Sequence, residues 1–95
     1  MKIFVNTIYN FMDMLGNKKS QTLEFPADTA VATVLDKLCQ IYGDALKEEM
    51  FDESGNFTSN IIIFLNGRNI LTISGVDTKL NENDILLLFP PALGG

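Results

Sequence analysis

The chain has 95 residues, 46% of them apolar, and 12 acidic against 7 basic side chains, giving a net charge of −5 with no histidine. That length and apolar share fit one compact domain with a modest core and no need of disulfide staples. The acidic balance excludes a nucleic-acid binder, which needs a basic face, and the missing histidine removes the usual acid–base group near neutral pH.

The N-terminus, Met1-Lys2-Ile3-Phe4-Val5, opens as a strand, since a signal peptide needs a longer apolar stretch and a small-residue cleavage site. Alternation predicts a strand over residues 2–9, with Ile3 and Val5 on one face and Phe4 on the other. Residues 10–20 are mixed, with Met12 and Met14 as core or contact residues and Gly16-Asn17 as a turn signal. Residues 21–25 alternate again as a second strand closed by Pro26, so the first strands form a hairpin with a long connection.

Asp28 or Thr29 is the expected helix N-cap, because either side-chain oxygen can accept from the first free amides. Behind it Val31, Val34, Leu35, Leu38, Ile41 and Tyr42 recur at helical steps and predict one core-facing stripe. Cys39 lies beside that stripe and is expected to be a buried structural cysteine. As the only cysteine, it permits neither an internal disulfide nor a Cys/His metal cluster within one chain. Gly43 interrupts the pattern, and residues 44–51 predict a second short helix with Leu46 and Met50 one turn apart. Asp52-Glu53-Ser54-Gly55-Asn56 lacks the alternating acidic spacing and closing Glu of a calcium loop, and is expected to be a solvated loop within residues 52–60.

Residues 61–65 form the clearest strand, and Asn66-Gly67 after it is the pair suited to a type I′ hairpin, where both central positions need positive φ. Residues 68–73 are a short return strand, with Arg68 exposed on the hairpin. Residues 75–80 connect through a tight helical turn, and residues 81–84 turn into the last strand at 85–89. That strand is apolar on both faces, although a helix on one side of a sheet buries only alternate positions. The surplus face is expected to be a docking patch, with Leu86 or Leu88 outward and Phe4 and Phe64 as neighbours. No run is long enough to span a bilayer, so no membrane partner is expected and the cytoplasm is the expected compartment. The order β-β-α-β-β-β implies an α+β fold with one main helix laid across one face of a mixed sheet.

The chain closes Phe89-Pro90-Pro91-Ala92-Leu93-Gly94-Gly95. Pro90 and Pro91 fix φ and favour an extended exit from the sheet. Gly94 and Gly95 lack Cβ atoms and can pass a narrow channel. Fully extended, residues 90–95 reach roughly 20 Å, enough to enter a buried site from a docked surface. A free α-carboxyl has a pKa of about 3.3–3.7, so at neutral pH it is ionised and must be activated before another atom can replace its oxygen.

Met1-Lys2-Ile3-Phe4-Val5-Asn6-Thr7-Ile8, Thr22-Leu23-Glu24-Phe25 and Asp28-Thr29 together resemble the opening of ubiquitin. Leu65-Asn66-Gly67, the turn from Asn81 to Asp84, and Phe89-Pro90-Pro91 running to Gly94-Gly95 resemble the small subunits of molybdopterin synthase. The resemblance covers nearly the whole chain, and its most specific element is the tail. It implies a single ubiquitin-like β-grasp domain over residues 1–95 with an extended tail at 90–95, working as a sulfur carrier.

By the same resemblance, an adenylating enzyme of the ubiquitin-activating type would use ATP to activate Gly95, which would then carry a thiocarboxylate. Phe89, Pro90, Pro91, Ala92, Leu93 and Gly94 would contact the partners, among them the large subunit of a molybdopterin-synthase-like complex. The acceptor would be a pterin precursor of the molybdenum cofactor. The chain would bind no cofactor and would not be catalytic alone. The tail chemistry leaves open a carrier serving thiamine, tRNA, cysteine or tungsten-cofactor assembly, and a ubiquitin-like modifier joined through Gly95 to lysines. A stand-alone binding module with a dispensable tail also stays open.

Overall fold

The computed structural model describes residues 1–8, 13, 15–58 and 60–91. Strands β1 (Lys2–Thr7) and β2 (Ser20–Glu24) pair antiparallel, with Ile3 opposite Leu23 and Val5 opposite Gln21. The first strand stops short of the expected end because Thr7 closes the hairpin neck. Its N–H donates to the Lys19 carbonyl at 2.9 Å and its hydroxyl to the Lys18 carbonyl at 3.0 Å. Met12 lies outside the described residues, as does Met14.

Helix α1 (Val31–Tyr42) starts without a side-chain cap, so neither Asp28 nor Thr29 has the expected role. The Thr29 hydroxyl is buried and donates back to the Pro26 carbonyl at 2.8 Å. Tertiary structure supplies the cap instead: the free N–H of Val31 donates to the Thr78 carbonyl at 2.9 Å, and Leu80 N–H returns a bond to Thr29 at 2.9 Å. Val31, Val34, Leu35 and Leu38 are fully buried, as the stripe predicts, but Ile41 is 46% exposed. At about 100° per residue Tyr42 falls near the centre of that stripe and Ile41 at its rim. Tyr42 instead ties the helix to the hairpin: its hydroxyl donates to Gln21 Oε1 at 2.8 Å. Gly16, at φ +72, lies under the same ring, where a Cβ would come within 2.9 Å of Tyr42 Cε1.

Gly43, at φ +98, breaks the helix as expected, and α2 (Asp44–Met50) buries Leu46 and Met50. The polar loop that follows closes on Asp52, whose Oδ1 accepts from the N–H groups of Ser54 and Asn56 at 2.9 and 3.0 Å.

Strand β3 (Ile62–Leu65) turns through Asn66 at φ 51 and Gly67 at φ 86 into β4 (Arg68–Asn69). Positive φ at both central positions is the geometry the Asn-Gly pair predicts. The return strand is only 2 residues long. Asn69 bends the chain away, its Oδ1 accepting from Leu71 N–H at 3.0 Å and its carbonyl from the Thr72 hydroxyl at 2.7 Å. A 3-10 turn at Ile70–Thr72 follows, and another at Gly75–Asp77 leads to β5 (Asp84–Phe89).

The strands form one 5-stranded sheet in the order β2-β1-β5-β3-β4. β5 is central, parallel to β1 and antiparallel to β3. This is the β-grasp arrangement, with Ile3, Val5, Ile63, Leu65, Leu86 and Leu88 packed in the core with the buried stripe of α1. One expectation is reversed here. Leu86 and Leu88 are fully buried, and the residues of β5 turned from the core are Ile85, Leu87 and Phe89. Alternation was legible in this strand, but an all-apolar run carries no mark of which alternate set faces in.

Candidate functional site: the open sheet face and its exit strand

The face of the sheet away from the core carries an apolar cluster where β5 and β3 cross it beside Phe4 of β1, with Lys2 and Asn6 of β1 flanking Phe4. The register sets Phe4 opposite Ile85, Leu87 opposite Phe64, and Phe89 opposite Ile62. Phe64 and Phe89 meet edge to face, with centroids 5.3 Å apart and planes at 71°. Such pairs contribute about 0.5–1.5 kcal/mol beyond their buried area. Ile85 is 42% exposed, and Phe4, Ile62, Phe64, Leu87 and Phe89 are half-buried. The cluster lies on the strand where a docking patch was expected, with Phe4 and Phe64 beside β5 as anticipated and the outward set corrected to Ile85, Leu87 and Phe89. None of these side chains ionises, so the surface can hold a partner but supplies no acid, base or nucleophile.

The patch leads into the tail. Phe89 is the last residue of β5, Pro90 is half-buried beyond it, and Pro91 is exposed. Neither proline has an N–H for a ladder bond, which ends the strand there. Of the expected partner-contacting residues, Phe89, Pro90 and Pro91 are thus placed at one end of the patch. Ala92, Leu93, Gly94 and Gly95, the expected bearer of the acyl group, lie outside the described residues.

The opposite end of β5 is held by a polar clasp between two turns, at Asn66-Gly67 and at residues 81–84. Asn66 Nδ2 donates to Asp84 Oδ1 at 2.9 Å, and Asn66 Oδ1 accepts from Ile85 N–H at 2.9 Å. The Asn66 N–H donates to the Ile85 carbonyl at 2.9 Å, and the buried Asp84 also accepts from Asn81 N–H at 2.7 Å. The Leu65-Asn66-Gly67 turn and the turn before β5 are therefore one joint. A single sequence gives no signal that pairs them.

Cys39 is half-buried, and its thiol donates to Met50 Sδ at 3.9 Å. Burial pushes its pKa up, the Asp36 carboxylate adds to the rise, and Lys47 opposes it. It rests as a thiol and fills a structural place. A broad groove of about 930 Å³ lies beside α2, lined by Asp44, Lys47, Glu48, Phe51 and Glu53 among others. It shares no residue with the open face, and among the described residues no group of at least 3 Cys, Asp or Glu side chains converges on a metal position. No helix among the described residues is long and apolar enough to cross a membrane.

Comparison with known proteins follows the same outline. Residues 9–95 match the ThiS family. Small archaeal modifier protein 3 from Haloferax volcanii is 28% identical over 95 residues, covering 100% of both chains. The solution structure of small archaeal modifier protein 1 from Methanosarcina acetivorans superposes with a TM-score of 0.80 at 29% identity, over 99% of this chain and 96% of that one. A Pyrococcus furiosus chain assigned as subunit 1 of molybdopterin converting factor superposes with a TM-score of 0.77 at 23% identity, over 97% and 99% of the two chains. That last likeness bears on the fold alone.

Proposed function

Since the chain belongs to the ThiS family of ubiquitin-like sulfur carriers and modifiers, we propose that it is a sulfur carrier whose working group is the α-carboxylate of Gly95. The supporting observation is the apolar open face of β5 that runs directly into Phe89-Pro90-Pro91. A partner seated on that face has the tail beside it, and the extended reach of residues 90–95 is roughly 20 Å. The activating chemistry belongs to the partner, because the apolar side chains beside the tail exit, Phe64, Leu87 and Phe89, carry no acid–base group. An adenylating enzyme of the ubiquitin-activating type supplies ATP. The Gly95 carboxylate attacks the α-phosphate, pyrophosphate leaves, and hydrosulfide delivered by the sulfur donor then attacks the acyl-adenylate and displaces AMP. The product is a thiocarboxylate on Gly95.

For the acceptor we propose a pterin precursor of the molybdenum cofactor, held by the large subunit of a molybdopterin-synthase-like complex. The Phe-Pro-Pro-x-x-Gly-Gly tail and the Leu65-Asn66-Gly67 joint support this choice. A second reading rests on the full-length match to a small archaeal modifier protein. There the acyl-adenylate is passed on to a lysine amine and ends as an isopeptide. Both readings share the activated Gly95 and divide at the nucleophile.

The test is intact-mass analysis after incubation with an adenylating enzyme of this type, ATP and a sulfur donor. The expected result is a gain equal to exchange of one oxygen for sulfur on the intact chain, abolished by deletion of Gly95. Failure of that gain with a donor competent on another carrier would defeat the sulfur-carrier reading. Recovery of target lysines bearing the Gly95 tail, without the sulfur gain, would favour the modifier.

A further inference from the structure

Asn66-Gly67 is the dipeptide in which an asparagine side chain is most open to attack by the following backbone nitrogen, because glycine offers no steric cover. In that reaction the Gly67 nitrogen bonds to Asn66 Cγ, ammonia leaves, and the resulting cyclic imide takes up water to give aspartate or isoaspartate. The turn is exposed to solvent at both residues. The asparagine is nevertheless not free to react. Its amide is pinned between Asp84 Oδ1 and Ile85 N–H, each at 2.9 Å, and its φ of 51 is fixed by the hairpin. Both hydrogen bonds aim the side chain at β5, so Cγ cannot swing onto the Gly67 nitrogen while they last.

We propose that Asn66 is a deamidation site kept silent by its clasp on β5, and that its conversion to a carboxylate opens that clasp. The amide supplies a donor to Asp84, and a carboxylate supplies none. Deamidation would therefore set a second negative oxygen against a carboxylate that is only 8% exposed. Two carboxylates facing each other with no donor between them repel. Asp84 opens β5, and Ile85, the next residue, is the exposed member of the open face. The lesion thus acts at the base of the strand that carries the docking patch and the tail. The proposal does not depend on the sulfur-carrier reading, and its readouts are mass and thermal stability.

The chain is held in mildly alkaline buffer, either folded or unfolded in urea, and residue 66 is followed by peptide mapping. Deamidation at least about tenfold faster in the unfolded chain is expected, with Gly67→Ala slowing the unfolded rate. Equal rates folded and unfolded would overturn the protective role of the clasp. The consequence is tested separately by an exchange of partners. Asn66→Asp is expected to lower Tm by about 5 °C or more, and adding Asp84→Asn is expected to restore most of the loss, because one donor and one acceptor face each other again. A Tm unchanged in Asn66→Asp, or a double variant no better than the single one, would overturn the opening of the clasp.

Discussion

At the scale of single residues, the one cysteine of the chain is held toward its less reactive, protonated form. Cys39 is half-buried against Met50, its pKa raised first by burial and then by the negative charge of Asp36, with Lys47 opposing. The thiolate is the reactive form, so alkylation near neutral pH is expected to run more slowly in the folded chain than in urea. Asp36→Asn removes a charge that disfavours the thiolate and is expected to speed the reaction. Lys47→Ala removes one that favours it and is expected to slow it. The rate of iodoacetamide labelling followed by mass reads all three. Asp36→Asn and Lys47→Ala moving the rate in the same direction would contradict the electrostatic account.

At the scale of elements, α1 separates residues that look alike in the sequence. Leu38 and Ile41 stand on one apparent stripe, yet Leu38 is fully buried and Ile41 is 46% exposed. Leu38→Ala is expected to cost about 2–5 kcal/mol, the range for emptying a packed site. Ile41→Ala should cost no more than about 0.5 kcal/mol, as for an ordinary surface change. Urea unfolding midpoints at matched slope compare the two. The contrast also marks where a sequence can be read and where it cannot. The hairpin at Asn66-Gly67 and the break at Gly43 were legible because each rests on local stereochemistry, and the period of two in β1 put Ile3 and Val5 on one face without saying that this face is the inner one. The phase of Ile85 to Phe89 was not legible, because every position is apolar. The cap of α1 was missed for another reason: Val31 bonds to Thr78, and no local pattern announces a partner from the far half of the chain. The Asn66–Asp84 clasp is hidden the same way. Of the candidate site, Phe4 and Phe64 beside β5 were legible, while Ile62, Ile85 and Leu87 came only with the register.

At the scale of the whole molecule, the sheet divides its duties between faces. One packs on α1, and the other presents Phe4, Ile62, Phe64, Ile85, Leu87 and Phe89. Ile85→Asp puts a charge at the most exposed of these positions without entering the core. It is expected to weaken docking to an adenylating partner by about tenfold or more, as loss of a central apolar contact does. Its cost to stability should stay within about 1 kcal/mol, the span of strand propensities. Leu88→Asp, one of the core positions of the same strand, is expected to unfold the domain. Titration calorimetry with the partner, beside thermal melts of both variants, distinguishes the faces. Equal affinity for Ile85→Asp and the parent would remove the open face from the docking surface.

The parallel pairing of β1 with β5 has a mechanical consequence. The N-terminal end of β1 and the C-terminal end of β5 point in opposite directions along neighbouring strands, from the Ile3–Asp84 pair to the Thr7–Leu88 pair. Tension applied between those ends does not peel the strands apart one rung at a time. It loads the whole ladder in shear, so the rungs share the force and must yield together. A machine that drags on the glycine tail while the other end is anchored therefore pulls along the direction in which this sheet is hardest to tear.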